Sequence, residues 1–387
     1  MINNIELLAP AGSYEALVAA VQNGANAIYL GGNEFSARAF ATNFDHDELK
    51  KALRYCRLRN VKVYVTVNTL YEDNQFVKLR DYLLFLSSIN VDALIIQDIG
   101  LMAYVKKYFP NFEIHMSTQT SIYSLEAVKY FEKIGVERVV LARENSLQEI
   151  KNICSHTNLD IEVFVHGALC MSYSGQCLMS SMIAKRSGNK GECGQPCRLP
   201  YSLLEDNKII KKQKYLLSPM DLCTIEKVPK LIDAGIKSFK IEGRMKTAYY
   251  VATTVRAYRM AIDAYYEDPE NWKFNPVWLE ELKKGSHRDY STGFYFDRPS
   301  DKAHNYESAS YIRNYDFVGI VRDYDAENDL YIVEQRNKMN VLDKVEVIGP
   351  YKETMFATIE EMYNEDGEPI ESAPHARQIV KMKLGIE

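Results

Sequence analysis

Eight short runs of β-branched and other apolar residues recur through the first 241 residues of this 387-residue chain, with amphipathic stretches between them. The runs are 6–9, 27–30, 61–67, 93–96, 113–116, 138–141, 161–165 and 238–241. Their near-continuous apolar character is that of strands buried on both faces of a parallel sheet. The stretches 13–23, 45–59, 73–87, 99–108, 124–134, 146–152 and 249–266 carry helical periodicity. Ser13, followed by Glu15 and an apolar face, suits a helix start. Glycines after Asn23, Ile134 and Ala234 suit helix ends. Eight strands alternating with helices specify an α/β fold, a (β/α)8 TIM-like barrel, with an open doubly wound sheet as the alternative. The segment LGGNEF after the second run has no GxGxxG, so a dinucleotide fingerprint is missing.

The rhythm breaks once. About 70 residues separate the seventh and eighth runs, an insertion spanning roughly 167–235. In a barrel this insertion leaves the C-terminal end of a strand, the face on which active sites are built. A loop of that length in a compact domain is usually functional. A hairpin is expected inside it, pairing 201–204 with 215–217 around Glu205-Asp206-Asn207. After about residue 270 the periodicity fades. From Ser308 onward short strands with polar turns return at 316–322, 330–334, 344–348, 354–362 and 378–382. They read as a small C-terminal antiparallel β-barrel. The expected domains are therefore a barrel at 1–305 and a smaller module at 306–387.

Five of the seven cysteines lie in the insertion: Cys170, Cys177, Cys193, Cys197 and Cys223. The gaps between the first four are six, 15 and three residues, so the tight C-x2-C knuckles of zinc ribbons are missing. Wide, uneven spacing suits thiolates drawn from separate loops around an iron–sulfur cluster. Zinc, a catalytic thiol and inert cysteines are the alternatives. Five candidates exist for four places. Cys56 and Cys154 fall in helical stretches and read as packing.

No run of 18 apolar residues is present, so no membrane span is expected. The N-terminal MINNIELLAPAG lacks the pattern of a signal peptide. A cytoplasmic location is expected, where clustered cysteines are ligands or catalytic groups rather than disulfides. The net charge of −5 confines any nucleic-acid binding to a local basic patch. Two such stretches lie in the insertion: Lys185, Arg186, Lys190 and Arg198, then Lys208, Lys211, Lys212 and Lys214. A basic loop beside a catalytic face suits a phosphate backbone, and some of the 27 tyrosines offer rings for stacking on bases.

Strand ends supply the remaining candidates: Asn68, Gln97, Asp98, Ser117, Gln119, Arg143, Glu144, His166, Glu242 and Arg244. His166, Glu242 and Arg244 are the catalytic candidates. Arg38, Arg143, Arg244 and Lys246 would form an anion-binding rim, since guanidinium forks match carboxylate and phosphate.

The segments LLAPAGSYEAL, YLGGNEFSARAFATNF, EVFVHGALCMSYSGQCLMSS, NKGECGQPCRLPY, SPMDLC, KIEGRMKTAYYVATTVRAY and SHRDYSTGFY together resemble the peptidase U-32, or collagenase-like protease, family. The resemblance is nearly full length. It implies oxygen-independent hydroxylation of RNA, most specifically formation of 5-hydroxyuridine at the tRNA wobble position, with prephenate as the hydroxyl donor. Relatives hydroxylate a ribosomal RNA cytidine or act in anaerobic ubiquinone hydroxylation. It also implies a cluster, expected as 4Fe-4S, on cysteines of this block. Cys170, Cys177, Cys193 and Cys223 match best, with Cys197 as the competing fourth ligand. Arg38 and Arg143 would hold the carboxylated donor, and tRNA would be the macromolecular partner. A homo-oligomer or a paralogue heterodimer is left open. A peptidase is the alternative activity, although the chain has neither HExxH nor GxSxG.

Overall fold

The computed structural model describes residues 5–37, 42–350 and 354–386. The chain forms two units, Met1–Ile312 and Arg313–Glu387. Residues 306–312 belong to the first. The Tyr306 carbonyl accepts from the Tyr215 N–H at 2.9 Å, and Ile312 bridges His287.

In the first unit the parallel strands are Glu6–Ala11, Ala27–Gly31, Lys62–Val67, Ala93–Ile96, Glu113–Met116, Arg138–Val140, Asp160–Ala168 and Ser238–Ile241. Each pairs with the next of the first seven. Ser238 then pairs with both Glu6 and Glu162, which closes the barrel. The eight strands thus stand where the apolar runs placed them.

Helices follow the strands, and local sequence fixes their starts. Ser13 caps Tyr14–Gln22 by accepting from the Ala16 N–H. Asp45 with Glu48, and Ser146 with Glu149, form capping boxes. Gly135 ends Leu125–Ile134 at φ 83°, a conformation that favours glycine. The helix Ala248–Glu267 buries eleven of its 20 residues against the barrel. A further helix, Pro276–Lys284, lies in the stretch without clear periodicity, with Asn275 as its cap and proline in its first turn.

The insertion carries a short helix, Met179–Ala184, and a hairpin of Tyr201–Glu205 with Lys208–Lys214. The second hairpin strand therefore precedes the expected 215–217. Asp206 and Asn207 both take positive φ, 47° and 61°, which makes a tight two-residue turn and brings the return strand in at once. The segment Asp221–Cys223 then runs antiparallel to the end of the seventh strand.

The second unit is a five-stranded antiparallel sheet forming a half-barrel, in the order Gly319–Asp325, Leu330–Gln335, Ile379–Ile386, Met355–Tyr363, Lys344–Val347. Val333, Met339, Ile359, Met362, Val380 and Met382 form its core.

Inside the barrel, Leu8, Ala27, Tyr29, Tyr64, Ala93 and Ile95 pack together as one cluster. Beside them lies a buried network of charges. Arg138 binds Glu6 and lies 3.2 Å from Glu162, while Lys240 donates to Glu162 at 2.7 Å. Tyr64 and Ser238 donate to Glu6 at 2.6 and 2.8 Å. Burial pushes the Glu6 carboxyl up, but the Arg138 charge and these hydrogen bonds more than offset it and hold it below the usual range. Glu162 is fully buried and serves both cations. Glu162→Ala leaves Arg138 and Lys240 short of a partner and is expected to cost about 3–5 kcal/mol in urea unfolding. Asp160→Asn, at a half-exposed partner of Arg138, is expected to cost less than about 1 kcal/mol.

Candidate functional site

A cavity of about 280 Å³ opens at the C-terminal ends of the barrel strands, roofed by the insertion. Cys170, Cys177, Cys193 and Cys197 all line it. Backbone N–H groups reach two of these sulfurs: Gln195 lies 3.4 Å from Cys193 Sγ, and Ser172 hydrogen-bonds Cys170. The roof is held by specific contacts. Glu144 accepts from the Ser174 N–H at 3.0 Å and from its hydroxyl. Gly175 sits at φ 75°, where a Cβ would overlap the Gln119 carbonyl. Arg198 donates to the Leu169 carbonyl at 3.0 Å and to Ser218 Oγ at 2.9 Å.

Cys223, expected as a ligand, is set apart from these four cysteines. It does not line this cavity. It belongs to the main core, its thiol bonded to Tyr258, and burial pushes that thiol up to about 12. The antiparallel pairing of Cys223 with His166 turns it away. Cys197 stands with the other three instead. Among the described residues no three His, Cys, Asp or Glu side chains converge on one point closely enough for a single metal ion. A 4Fe-4S cluster takes one thiolate per iron, so its ligands stand further apart than those around one ion. Four soft donors on separate loops around one cavity fit that requirement in number and chemistry.

The cavity is strongly cationic. Arg143, Arg198, Lys240, Arg244, Lys246 and Arg288 line it, against the single carboxylate of Glu242 among the described lining residues. Even counting Glu162 and Asp221, which pair with Lys240 and Arg288, cations outnumber carboxylates by three among the described residues. Arg143 lies 3.5 Å from Glu242, donates to the Ala168 carbonyl at 2.6 Å and stacks over Phe164. Arg244 donates to Ser36 Oγ at 2.6 Å and Thr66 Oγ1 at 3.0 Å. Lys246 donates to the Ser286 carbonyl at 2.7 Å and lies over the Tyr311 ring. Of the anion rim expected from sequence, Arg143, Arg244 and Lys246 meet here, and Arg38 lies outside the described residues. Lys240 and Arg288 were missed, and Arg198, expected in a basic stretch for a phosphate backbone, lines the cavity. Lys240 hides inside an apolar run, and nothing in the sequence spacing joins Arg288 to strand 8.

His166 is not in the cavity. Lys240 pairs with Phe164, but the next residue, Ile241, pairs with His166, so strand 7 carries a one-residue bulge. The bulge breaks the alternation that sets Glu162 and Phe164 inside the barrel. His166 instead packs among Tyr250, Tyr258 and Tyr290 at 5.4–6.1 Å, 1 % exposed. It makes no bond with Cys170, so no Cys–His dyad forms. Asp98 is a helix cap accepting from the Leu101 N–H, and Gln97 donates to the Gln119 carbonyl. Asn68, Ser117 and Gln119 do face the cavity.

Fold and site together define a class: a (β/α)8 barrel whose C-terminal mouth carries a cation-rich cavity lined by four cysteines. The profile of Peptidase family U32 matches residues 12–305, and that of the family's C-terminal domain matches 313–387. The chain belongs to this family. It is 40% identical to "tRNA hydroxylation protein P1" of Bacillus subtilis over 98% of this chain and 92% of that protein. It is 32% identical to "Collagenase" of Porphyromonas gingivalis over 93% and 90%. It is 34% identical to "23S rRNA 5-hydroxycytidine C2501 synthase" of Escherichia coli over 93% of this chain and 56% of that protein. Among the described residues no helix is long and apolar enough to cross a membrane.

Burial, with Lys246 and His287 nearby, pushes the His166 imidazole down to about 3, against an ordinary value of 6.5. The folded protein therefore keeps His166 neutral where the unfolded chain protonates it, and stability is lost as pH falls from 6.5 towards 3. His166→Leu is expected to flatten that acid limb in urea unfolding measured across the range, and to leave anion binding at the cavity unchanged.

Proposed function

We propose that this protein is an RNA hydroxylase acting without molecular oxygen on the wobble uridine of tRNA, with a carboxylated donor such as prephenate. The observation that carries the reading is one cavity combining four cysteines with six cations. The names of the Bacillus subtilis and Escherichia coli relatives support RNA hydroxylation. The cationic wall suits a dicarboxylate, since charge-assisted bonds to guanidinium are strong and geometrically specific. Arg244, Arg143 and Lys246 would bind its carboxylates, and Tyr29, Phe164 and Tyr311 would flank its ring. Glu242, the one carboxylate among the described lining residues, would accept or return a proton at the reacting centre. Cys170, Cys177, Cys193 and Cys197 would hold an iron–sulfur cluster, which supplies electron transfer or Lewis acidity when bound. Lys208, Lys211 and Lys212 on the exposed hairpin would meet the RNA backbone. Lys214 is paired with Glu307.

Two measurements test this. RNA from a strain lacking the gene is expected to lose 5-hydroxyuridine and its derivatives by mass spectrometry. Unchanged RNA, in a strain with no second route to the modification, removes the proposal. Protein purified without oxygen is expected to be brown, with about four irons per chain. Alanine at Cys170, Cys177, Cys193 or Cys197 should bleach it, whereas Cys223→Ala should keep both colour and iron.

A further inference from the structure

The cavity has two chemically different walls. The cations come from strand 8 and the segment after it, from beyond strand 6, from the insertion, and from Arg288 after the helix Pro276–Lys284. The ends of strands 3 and 5 contribute neutral groups instead: Asn68, Ser117, Thr118 and Gln119. A chain of hydrogen bonds fixes how these amides point. The Ala37 N–H donates to Asn68 Oδ1 at 3.0 Å, which orients the Asn68 amide. Asn68 Nδ2 in turn donates to Gln119 Oε1 at 3.0 Å, which orients the Gln119 amide. Gln119 Nε2 is left with both hydrogens and has no partner among the described residues, on a side chain that lines the cavity.

The backbone beneath Gln119 is held from several sides. Ser117 Oγ accepts from the Gln119 N–H at 3.3 Å, and Gln97 donates to the Gln119 carbonyl at 3.4 Å. Thr118 and Thr120 donate to the Leu141 and Gln97 carbonyls. Gly175 packs directly on the Gln119 carbonyl. A donor so fixed is a pre-organised reader of an acceptor.

Resting on the RNA-modifying reading of this cavity, we infer that Gln119 is the residue that selects the base: its Nε2 donates to O4 of a uracil, with Asn68 holding it in that orientation. Uracil carries an acceptor at position 4, whereas cytosine carries an amino donor there. A cytosine in the same pose sets donor against donor and leaves the amide, once covered by the base, without a partner, which is the stronger form of discrimination. O4 is also the neighbour of C5, so the same bond places C5, the carbon that is hydroxylated in 5-hydroxyuridine. The anionic donor takes the cationic wall, and the neutral base takes this one.

The test compares binding of uridine 5′-monophosphate and cytidine 5′-monophosphate to the full-length protein purified without oxygen. The two share ribose and phosphate, so their ratio isolates the base. The native protein is expected to bind the uridine nucleotide about tenfold more tightly. Gln119→Ala is expected to bind both alike. Gln119→Glu keeps the acceptor for Asn68 and a similar size but offers only acceptors to the cavity, so it is expected to prefer the cytidine nucleotide. Equal affinities in the native protein, no binding of either nucleotide, or one ratio shared by all three proteins would overturn the inference. No turnover is involved, so the outcome is separable from the proposed function. Discrimination through Gln119 with unchanged RNA in the deletion strain sinks hydroxylation and leaves the base subsite standing. Lost 5-hydroxyuridine with equal nucleotide affinities does the reverse.

Discussion

The barrel depends on the charges buried at its centre. Glu6 on strand 1, Arg138 on strand 6, Glu162 on strand 7 and Ser238 with Lys240 on strand 8 form one connected network. Its members come from both sides of the seam where strands 1 and 8 pair. Apolar residues would fill the space, but they would not specify which strands meet. A buried ion pair is costly unless every partner is in place, so this network favours the one closure that satisfies it. Strand 3 joins through Tyr64, whose hydroxyl donates to Glu6.

The same network reaches the site. Lys240 is bound to Glu162 on the core side and borders the cavity on the other, with its ammonium 4.4 Å from the centre of the Tyr29 ring. The position of the cavity floor is thus set by a core interaction. The roof is set differently, by the insertion. Glu144 and Arg198 hold its loops through hydrogen bonds, and Gly175 allows it to approach the turn that carries Gln119. A rigid floor and a roof built from loops is the usual division of labour in such barrels, where the scaffold is constant and the loops carry chemistry. The consequence is a cavity with one wall of cations, one wall of neutral amides and hydroxyls, and four thiols along its lining.

Peptide hydrolysis finds little in this arrangement. The histidine nearest Cys170 in sequence, His166, is packed among tyrosines behind strand 7. The cavity is lined instead by six cations and four cysteines. Membership of the U32 family and the collagenase name of one relative describe ancestry, and the site chemistry is a separate matter.

Much of this was legible in the sequence. The eight strands follow from apolar runs of the right length, because a strand buried on both faces must be apolar throughout. The Cys170–Cys197 block was legible because thiols crowd into one loop region, and Arg143, Glu242 and Arg244 because they follow strand ends. Other features depended on packing. The bulge that removes His166 is one residue in a register that no local pattern records. The placing of Cys197 rather than Cys223 at the cavity turns on a short antiparallel pairing that sets Cys223 opposite His166, in the core. The hairpin register followed from two positive φ angles at Asp206 and Asn207. The cationic cavity joins Arg143, Lys240 and Arg288, residues up to 145 positions apart. The sequence by itself determined which segments are strands and where thiols and charges are dense, since those depend on local composition. Only the tertiary structure decided which of those groups share one space, because facing direction and register are fixed by contacts between segments distant in the chain.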